Sequence, residues 1–237
     1  MSNTHMHNGP YRVRTATDRI RIRRVILSVA DKSNLDLLVE ALLETSSEVE
    51  LYSTGGTHRR LSELLGARAE RHLRSISEYT GQKEMAGGLV KTLDYRIYLG
   101  LLADADNPEH RRHLDEAGAV PFDMTVVNLY PFSRQVAQDP NDLEGGRQNI
   151  DIGGPTLIRA AAKNYLRVAA VCNPASYGDL AEKLWRSAGS LGLADRFRLA
   201  REAFDHTARY DGEISRWLGE QGSGDPLSFY HTETETE

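Results

Sequence analysis

Asn149-Ile150-Asp151-Ile152-Gly153-Gly154-Pro155-Thr156-Leu157-Ile158-Arg159-Ala160-Ala161-Ala162-Lys163-Asn164 is the stretch from which the rest of the chain is read. A short apolar run carrying one acid, Asp151, turns through Gly153-Gly154. Pro155 then falls where a first helical turn tolerates it, and an alanine-rich helix follows. Thr156, Arg159 or Ala160, and Lys163 are spaced near one helical repeat and share a face. Such a stretch suits a carboxylate and a lysine facing one pocket, and it equally suits a well-capped core helix with a solvated lysine. A glycine-flanked helix start after a short apolar run is a signal to be weighed with the rest of the sequence.

With 237 residues, the chain can bury a sizeable core as one large domain or two small ones. Hydrophobic residues make up 40% and charged residues 27%, ordinary for a globular protein, and the net charge of −5 shows no global attraction to nucleic acid or anionic membrane. No apolar run approaches the ~20 residues of a membrane span, and the first residues lack a signal-peptide core. The expected setting is the cytoplasm, with neither nucleic acid nor membrane as partner. The single cysteine, Cys172, lies in the apolar run 168–172 and reads as a buried reduced thiol.

Taken in order, residues 1–22 read as a flexible arm or an added strand. Val25–Ala30 suits a strand buried on both faces. Asp31 or Ser33 is placed to cap the next helix, patterned by Leu35, Leu37-Leu38 and Ala41-Leu42-Leu43. Val49–Ser53 is a second strand, and Thr54-Gly55-Gly56-Thr57 leads into a helix with Leu61, Leu64 and Leu65 inward. Thr125–Leu129 and Val168–Cys172 are further strands. Residues 193–218 form a closing helical region of one or two helices, and 222–237 a polar, acid-rich tail. The alternation predicts an α/β fold, with a largely parallel sheet flanked by helices and a helical C-terminal extension, spanning residues 23–221 as one domain.

In such sheets ligands bind at the carboxyl ends of strands. Three strand ends carry suitable chemistry: Ser28 to Lys32, Ser53 to Thr57, and Asn128 to Tyr130. The Thr-Gly-Gly-Thr turn offers unhindered backbone N–H groups and hydroxyls at a helix start, which suits a phosphate, and Lys32 could add charge. Gly-Gly before a helix is common, so the turn alone decides little. Gly87-Gly88-Leu89-Val90-Lys91-Thr92 could bring an ammonium and a hydroxyl to an anion, or form a surface loop with a solvated lysine.

Together the residues carry a more specific resemblance. Ser28-Val29-Ala30-Asp31-Lys32, Ser53-Thr54-Gly55-Gly56-Thr57, Glu78-Tyr79-Thr80-Gly81, Val90-Lys91-Thr92-Leu93, Asn128-Leu129-Tyr130-Pro131-Phe132 and the stretch 149–164 occur in one order. That order resembles the inosine monophosphate (IMP) cyclohydrolase domain of the bifunctional purine-biosynthesis enzyme, over roughly residues 24–219. The resemblance implies a methylglyoxal-synthase-like fold, a homodimer, no metal or organic cofactor, and a free-standing cyclohydrolase served by a separate formyltransferase upstream. It implies closure of a purine-type ribonucleotide, 5-formamidoimidazole-4-carboxamide ribonucleotide, to IMP with loss of water. Lys91, Tyr130, Asp151 and Lys163 then belong to the catalytic cluster. Ser28, Lys32, Thr54, Gly55, Gly56, Thr57 and Thr92 match positions that hold ligand and phosphate, with Asn128 and Gly154 beside the base.

Departures from the family pattern fall mainly in one segment. Family members usually read Gly-Arg-Val-Lys-Thr-Leu-His-Pro, where this chain has Leu89 for the arginine and Asp94-Tyr95 for the His-Pro pair. Tyr98 replaces a later histidine, Ala30 a serine and Tyr165 another histidine. Losing a desolvated guanidinium hydrogen bond removes roughly 1.5–3 kcal/mol, which Arg96 or Arg59 would have to make good. Three readings remain: the standard cyclohydrolase, a paralogue closing a pyrimidine ring on a related azole carboxamide nucleotide such as a pyrazole C-nucleotide on a nucleoside-antibiotic route, and a phosphate-binding module without turnover.

Overall fold

A computed structural model describes residues 13, 16–82, 92–104, 106–221 and 230. Its centre is a five-stranded, all-parallel sheet of β2 (Arg24–Val29), β3 (Glu50–Ser53), β4 (Leu73–Ser75), β5 (Met124–Asn128) and β6 (Ala169–Val171), in the order β4-β3-β2-β5-β6. The chain builds outward from β2 to β4, then returns to the other side of β2 for β5 and β6. The order therefore reverses between β2 and β5, where Val29 pairs with Asn128 in register. The crevice beyond such a switch point is where open α/β sheets receive ligands.

The apolar runs read from the sequence are buried on both faces, as parallel strands require. Val25, Leu27 and Val29 point to one layer, made by α1 (Leu35–Thr45), α2 (Gly55–Leu65) and α10 (Tyr177–Arg186). Ile26 points to the other, with Val127, Ala170 and Cys172, under α5 (Tyr95–Leu102), α9 (Gly153–Lys163) and α11 (Leu193–Glu220). Shorter helices complete the chain: α3 (Ala69–His72), α4 (Ile76–Thr80), α6 (Pro108–Ala117), α7 (Phe132–Val136) and α8 (Leu143–Gln148). In α9, Ala160, Ala161 and Ala162 are all buried. Their small side chains let the helix lie close to α11 and to the sheet.

Several details differ from the sequence expectation. Neither Asp31 nor Ser33 caps α1: Asn34, in the left-handed region at φ 57°, holds that position without a side-chain bond. The Asp31 carboxylate instead accepts the N–H (2.9 Å) and hydroxyl (2.6 Å) of Ser33 and closes a local turn ahead of the helix. The short strand β4 carries too few apolar residues to be read by periodicity. The closing region is one 28-residue helix, α11.

The end of the stretch expected as an arm or an added strand is tied to the domain. β1 (Ile20–Arg21) pairs antiparallel with β7 (Ser190–Leu191). Arg196, fully buried, donates to the carbonyls of Thr17, Asp18, Tyr165, Leu166 and Leu191. A guanidinium has five N–H groups and no carboxylate is needed to satisfy them here. Among the described residues, no helix is long and apolar enough to cross a membrane, and no group of His, Cys, Asp and Glu could hold a metal ion. Of residues 222–237, only Tyr230 is described; its hydroxyl donates to Glu144 at 3.0 Å.

Candidate active site

The switch-point crevice is built from strand ends locked to one another. Asn128 Oδ1 accepts the N–H groups of Ala30 and Asp31, both at 2.8 Å, while its Nδ2 donates to Asp31 O (2.8 Å) and to the Tyr177 hydroxyl (3.3 Å). The amide is fully occupied in joining β2 to β5. Thr57 is similarly engaged: its buried hydroxyl accepts from Val29 N (3.0 Å) and lies 3.2 Å from Val29 O. Both residues thus fix the strand ends, and what they can offer a ligand is backbone rather than side chain.

Beside this lock, Thr54 takes an extended conformation and α2 starts at Gly55, with φ 57°. Gly55 and Gly56 are exposed, and a Cβ at Gly56 would meet nothing within 4 Å. The start of this 11-residue helix is thus exposed at both glycines, with no acid in its first turn. Lys32 Nζ sits over the end of β2, 3.4 Å from the carbonyls of Val29 and Ala30. Ser28 is half-buried in the same strand. Helix dipole, first-turn amides and one ammonium together make a site suited to a phosphate.

On the other face of the sheet the start of α9 is held by a set of hydrogen bonds. Asp151 N–H donates to the Tyr210 hydroxyl at 2.7 Å, and the Asp151 carboxylate accepts Gly154 N–H at 3.0 Å. The Tyr98 hydroxyl donates to Thr156 Oγ1 at 2.7 Å, and Thr156 Oγ1 lies within 2.8–2.9 Å of the carbonyls of Ile152 and Gly153. Burial, with the charge of Asp151 adding to it, pushes the Tyr98 phenol above its ordinary range. A Cβ at Gly154 would lie 2.4 Å from Asp151 Oδ2 and 2.5 Å from Leu129 Cδ2, so glycine is required there by close approach. Thr92 is buried against the same turn: a Cβ at Gly153 would come within 2.9 Å of its Oγ1. Tyr130, 59% exposed, projects from the end of β5.

The structure separates two residues that the sequence put together. Asp151 precedes the first residue of α9 and Lys163 is its last, so roughly 15 Å of helix lies between them. Lys163 is exposed, at the end of α9 that returns to the start of β6, away from the strand ends that form the crevice. Helical spacing does align Thr156, Arg159 and Lys163, but along the helix rather than around one point. Lys91 and Leu89 lie outside the described residues. Arg96 is held by Asp94 (3.5 Å) and lies over the Tyr79 ring at 5.6 Å, while Asp94 caps α5 through Arg96 N–H. Tyr98 is marked in the sequence only as a departure from the family pattern, and Tyr210 carries no signal of a site role, because nothing local distinguishes a tyrosine whose hydroxyl meets a polar partner from one that merely packs.

A cavity of about 520 Å³ opens on the α11 side of Tyr130, bounded below by Cys172 and on one side by Glu202, Asp205, His206 and Arg209. It shares only the wall from Asn128 to Tyr130 and the neighbouring Ala30-Asp31 turn with the crevice above.

The chain belongs to the MGS-like domain family, whose profile matches residues 37–156. Residues 161–236 match the family described as AICARFT/IMPCHase bienzyme. Bifunctional purine biosynthesis proteins PurH from Brucella ovis and Brucella abortus are each 43% identical over 205 residues, covering 86% of this chain and 37% of theirs. The chain thus spans little more than a third of the length of these curated relatives. Among solved structures, that described as the crystal structure of ForH superposes with a TM-score of 0.71 at 29% identity, over 84% of this chain and 98% of the ForH chain. The methylglyoxal-synthase-like fold and the relation to the purine cyclohydrolases expected from the motifs both hold.

Proposed function

We propose that the protein is a cyclohydrolase that closes the pyrimidine ring of 5-formamidoimidazole-4-carboxamide ribonucleotide, giving IMP and water. The observation that carries this reading is the pair of helix starts at one switch-point crevice. One, at Thr54–Thr57 with Lys32, suits a phosphate; the other, at Gly153-Gly154 with Asp151, suits a reacting carboxamide. The 43% identity to the PurH proteins supports the same chemistry.

In the reaction, the carboxamide nitrogen attacks the formyl carbon and loses a proton, while the formyl oxygen gains charge and then a proton. The carbinolamine so formed loses its hydroxyl, together with the proton of the former formamide nitrogen, as water, and the ring C=N bond forms. Only proton transfers are needed, so no cofactor is invoked. Asp151 is the candidate to take the amide proton. The first N–H groups of α9 and the hydroxyl of Tyr130 are the candidates to stabilise the oxygen, with Lys91 beside Thr92. Positioned acid–base groups contribute about 10²–10⁴-fold each, and holding the two ring substituents in contact supplies much of the rest. Ser28, Gly55, Gly56 and Thr92 hold the nucleotide, and the backbone amides of Thr54 and Thr57 extend the phosphate seat.

Lys163 can join this centre only from a second copy of the chain, because α9 holds it one helix length from the Asp151 of its own chain. A homodimer that lays the far end of α9 against the partner's crevice meets that need. A separate formyltransferase would supply the substrate, in the cytoplasm.

A second reading is a paralogue acting on a related azole carboxamide nucleotide, such as a pyrazole C-nucleotide. What favours it is that Asp94 and Tyr98 are built into the fold as an α5 cap and a tie to Thr156, so a substrate-reading segment has been rebuilt rather than trimmed. The likeness to ForH, nearly end to end on that chain, fits a specialised branch. Spectroscopic assay of purified protein separates the readings. Formation of IMP from the formamido ribonucleotide supports the first, and turnover of the pyrazole analogue alone supports the second. Tight nucleotide binding with no turnover of either would leave a binding module.

A further inference from the structure

The cavity between Tyr130 and α11 meets the crevice along Asn128–Tyr130 and the Ala30-Asp31 turn, and neither the Thr54–Thr57 turn nor Gly153-Gly154 lines it. Its acids are already committed. Asp31 accepts two bonds from Ser33, Glu202 is held by Arg198 at 2.5 Å, and Asp205 is paired with Arg209 at 2.6 Å. Its donors are not. No carboxylate among the described residues lies within ion-pair distance of Arg134, and Arg209 uses only one nitrogen on Asp205, leaving further N–H groups. Asn173 spends its Oδ1 on Ala175 N–H, with no bond from its Nδ2 among the described residues. His206 also lines the cavity; its Nε2 is sealed from solvent without a partner among the described residues, and burial, aided by Arg209, keeps the ring below its ordinary pKa. At the mouth, the exposed Tyr130 ring and Pro131 offer an apolar plane. About 520 Å³ is ample for a small organic anion carrying a ring.

We propose that this cavity is a second ligand site, taking a nucleoside monophosphate with its phosphate on Arg134 and Arg209 and its ring against Tyr130 and Pro131. Paired guanidinium donors recognise a phosphate through charge-assisted, directional bonds. Because Tyr130 stands between the two sites, occupancy here restrains a side chain that the crevice also uses, and nucleotide bound in the cavity lowers turnover without competing for the phosphate seat at Thr54–Thr57.

Calorimetric titration of the full chain with IMP tests this, using wild type, Lys32→Ala and the double variant Arg134→Ala/Arg209→Ala. Circular dichroism checks folding, and Arg134→Gln alone serves if the double variant is unstable. Wild type is expected to bind two IMP per chain, and Lys32→Ala to retain the cavity site. The double variant is expected to retain only the crevice site, its cavity affinity falling by about tenfold or more for each charge-assisted hydrogen bond removed. Inosine, lacking the phosphate, should fill the cavity far more weakly. A single IMP per chain that disappears in Lys32→Ala, or two sites untouched by the double substitution, overturns the proposal. Loss of all binding in the double variant, with Lys32→Ala unaffected, upholds the cavity and instead removes the phosphate seat at Lys32.

Discussion

The hydroxyl of Tyr210, in the middle of α11, accepts the backbone N–H of Asp151 at 2.7 Å, just before α9 begins. One bond thus joins the closing helix to the acid proposed for proton transfer, across 59 residues of sequence. Tyr210 is 5% exposed and packs edge-on against Phe132, which follows the Tyr130-Pro131 turn. The two chain segments that carry Tyr130 and Asp151 therefore rest on the same ring.

Replacing Tyr210 with Phe keeps the ring and removes the acceptor. The part-buried N–H of Asp151 is then left without its partner, a cost of about 1–3 kcal/mol. Denaturant unfolding should show a loss in this range, and kcat should fall while KM changes little, because the proposed phosphate seat at α2 is untouched. An unchanged kcat would mean that Asp151 is held in place without Tyr210.

Two glycines should respond oppositely to alanine. At Gly154 the new methyl meets Asp151 Oδ2 and Leu129 within 2.5 Å, so the start of α9 must shift and stability should drop by about 1–3 kcal/mol, with most activity gone. At Gly56 the methyl meets nothing, and alanine in a helix is about 0.5–1 kcal/mol better than glycine. Gly56→Ala should fold at least as stably as wild type, yet raise KM if a phosphate approaches those N–H groups. Thermal melts and steady-state kinetics on the pair provide the check.

The separation of Asp151 from Lys163 along α9 makes a sharper forecast. Asp151→Asn and Lys163→Ala should each be nearly inactive alone. Mixed, unfolded and refolded together, they should recover roughly a quarter of wild-type activity, since half the dimers are mixed and each mixed dimer has one intact centre. This arithmetic assumes random pairing of a dimer with shared sites. No recovery on mixing, with dimers formed, would confine the chemistry to single chains and remove Lys163 from it.

Alkaline conditions should expose three buried groups. Burial pushes the Cys172 thiol, and the Tyr52 and Tyr177 phenols, up to about 12. The folded state holds these protons where the unfolded chain, with a thiol near 9.0 and phenols near 10.0, releases them. Their contribution is thus fully present below about pH 9 and is lost as pH rises toward about 12. Denaturant midpoints should be flat in this respect from about pH 7 to 9 and fall beyond it, less steeply in Cys172→Ala. At about pH 8 the native thiol should react with iodoacetamide far more slowly than in denaturant.

Much of this architecture is legible in residue order. The runs at 25–30, 49–53, 125–129 and 168–172 are too apolar for strands with a wet face, and the helical repeats between them leave few arrangements other than a parallel sheet covered on both sides. The motifs are equally plain, because Gly-Gly before a helix and an acid before Gly-Gly are local features with local causes. The strand β4 is hidden, since Leu-Arg-Ser has no period to detect and is recruited by pairing with β3. The start of α1 departs from the sequence expectation because Asp31 has two uses within reach and takes the nearer one, the turn with Ser33.

The sequence by itself determined the layers, the two helix starts suited to a ligand, and the kinship of those motifs. Tertiary structure alone decided which of the marked residues meet. It bound the side chains of Asn128 and Thr57 into the strand ends, recruited Tyr98 and Tyr210 from distant helices, and set Lys163 a full helix away from Asp151. Spacing along a chain reports direction around a helix axis, but a reaction centre depends on distances in all three dimensions. Those distances come from how α9 lies between the sheet and α11, which no residue of α9 specifies on its own.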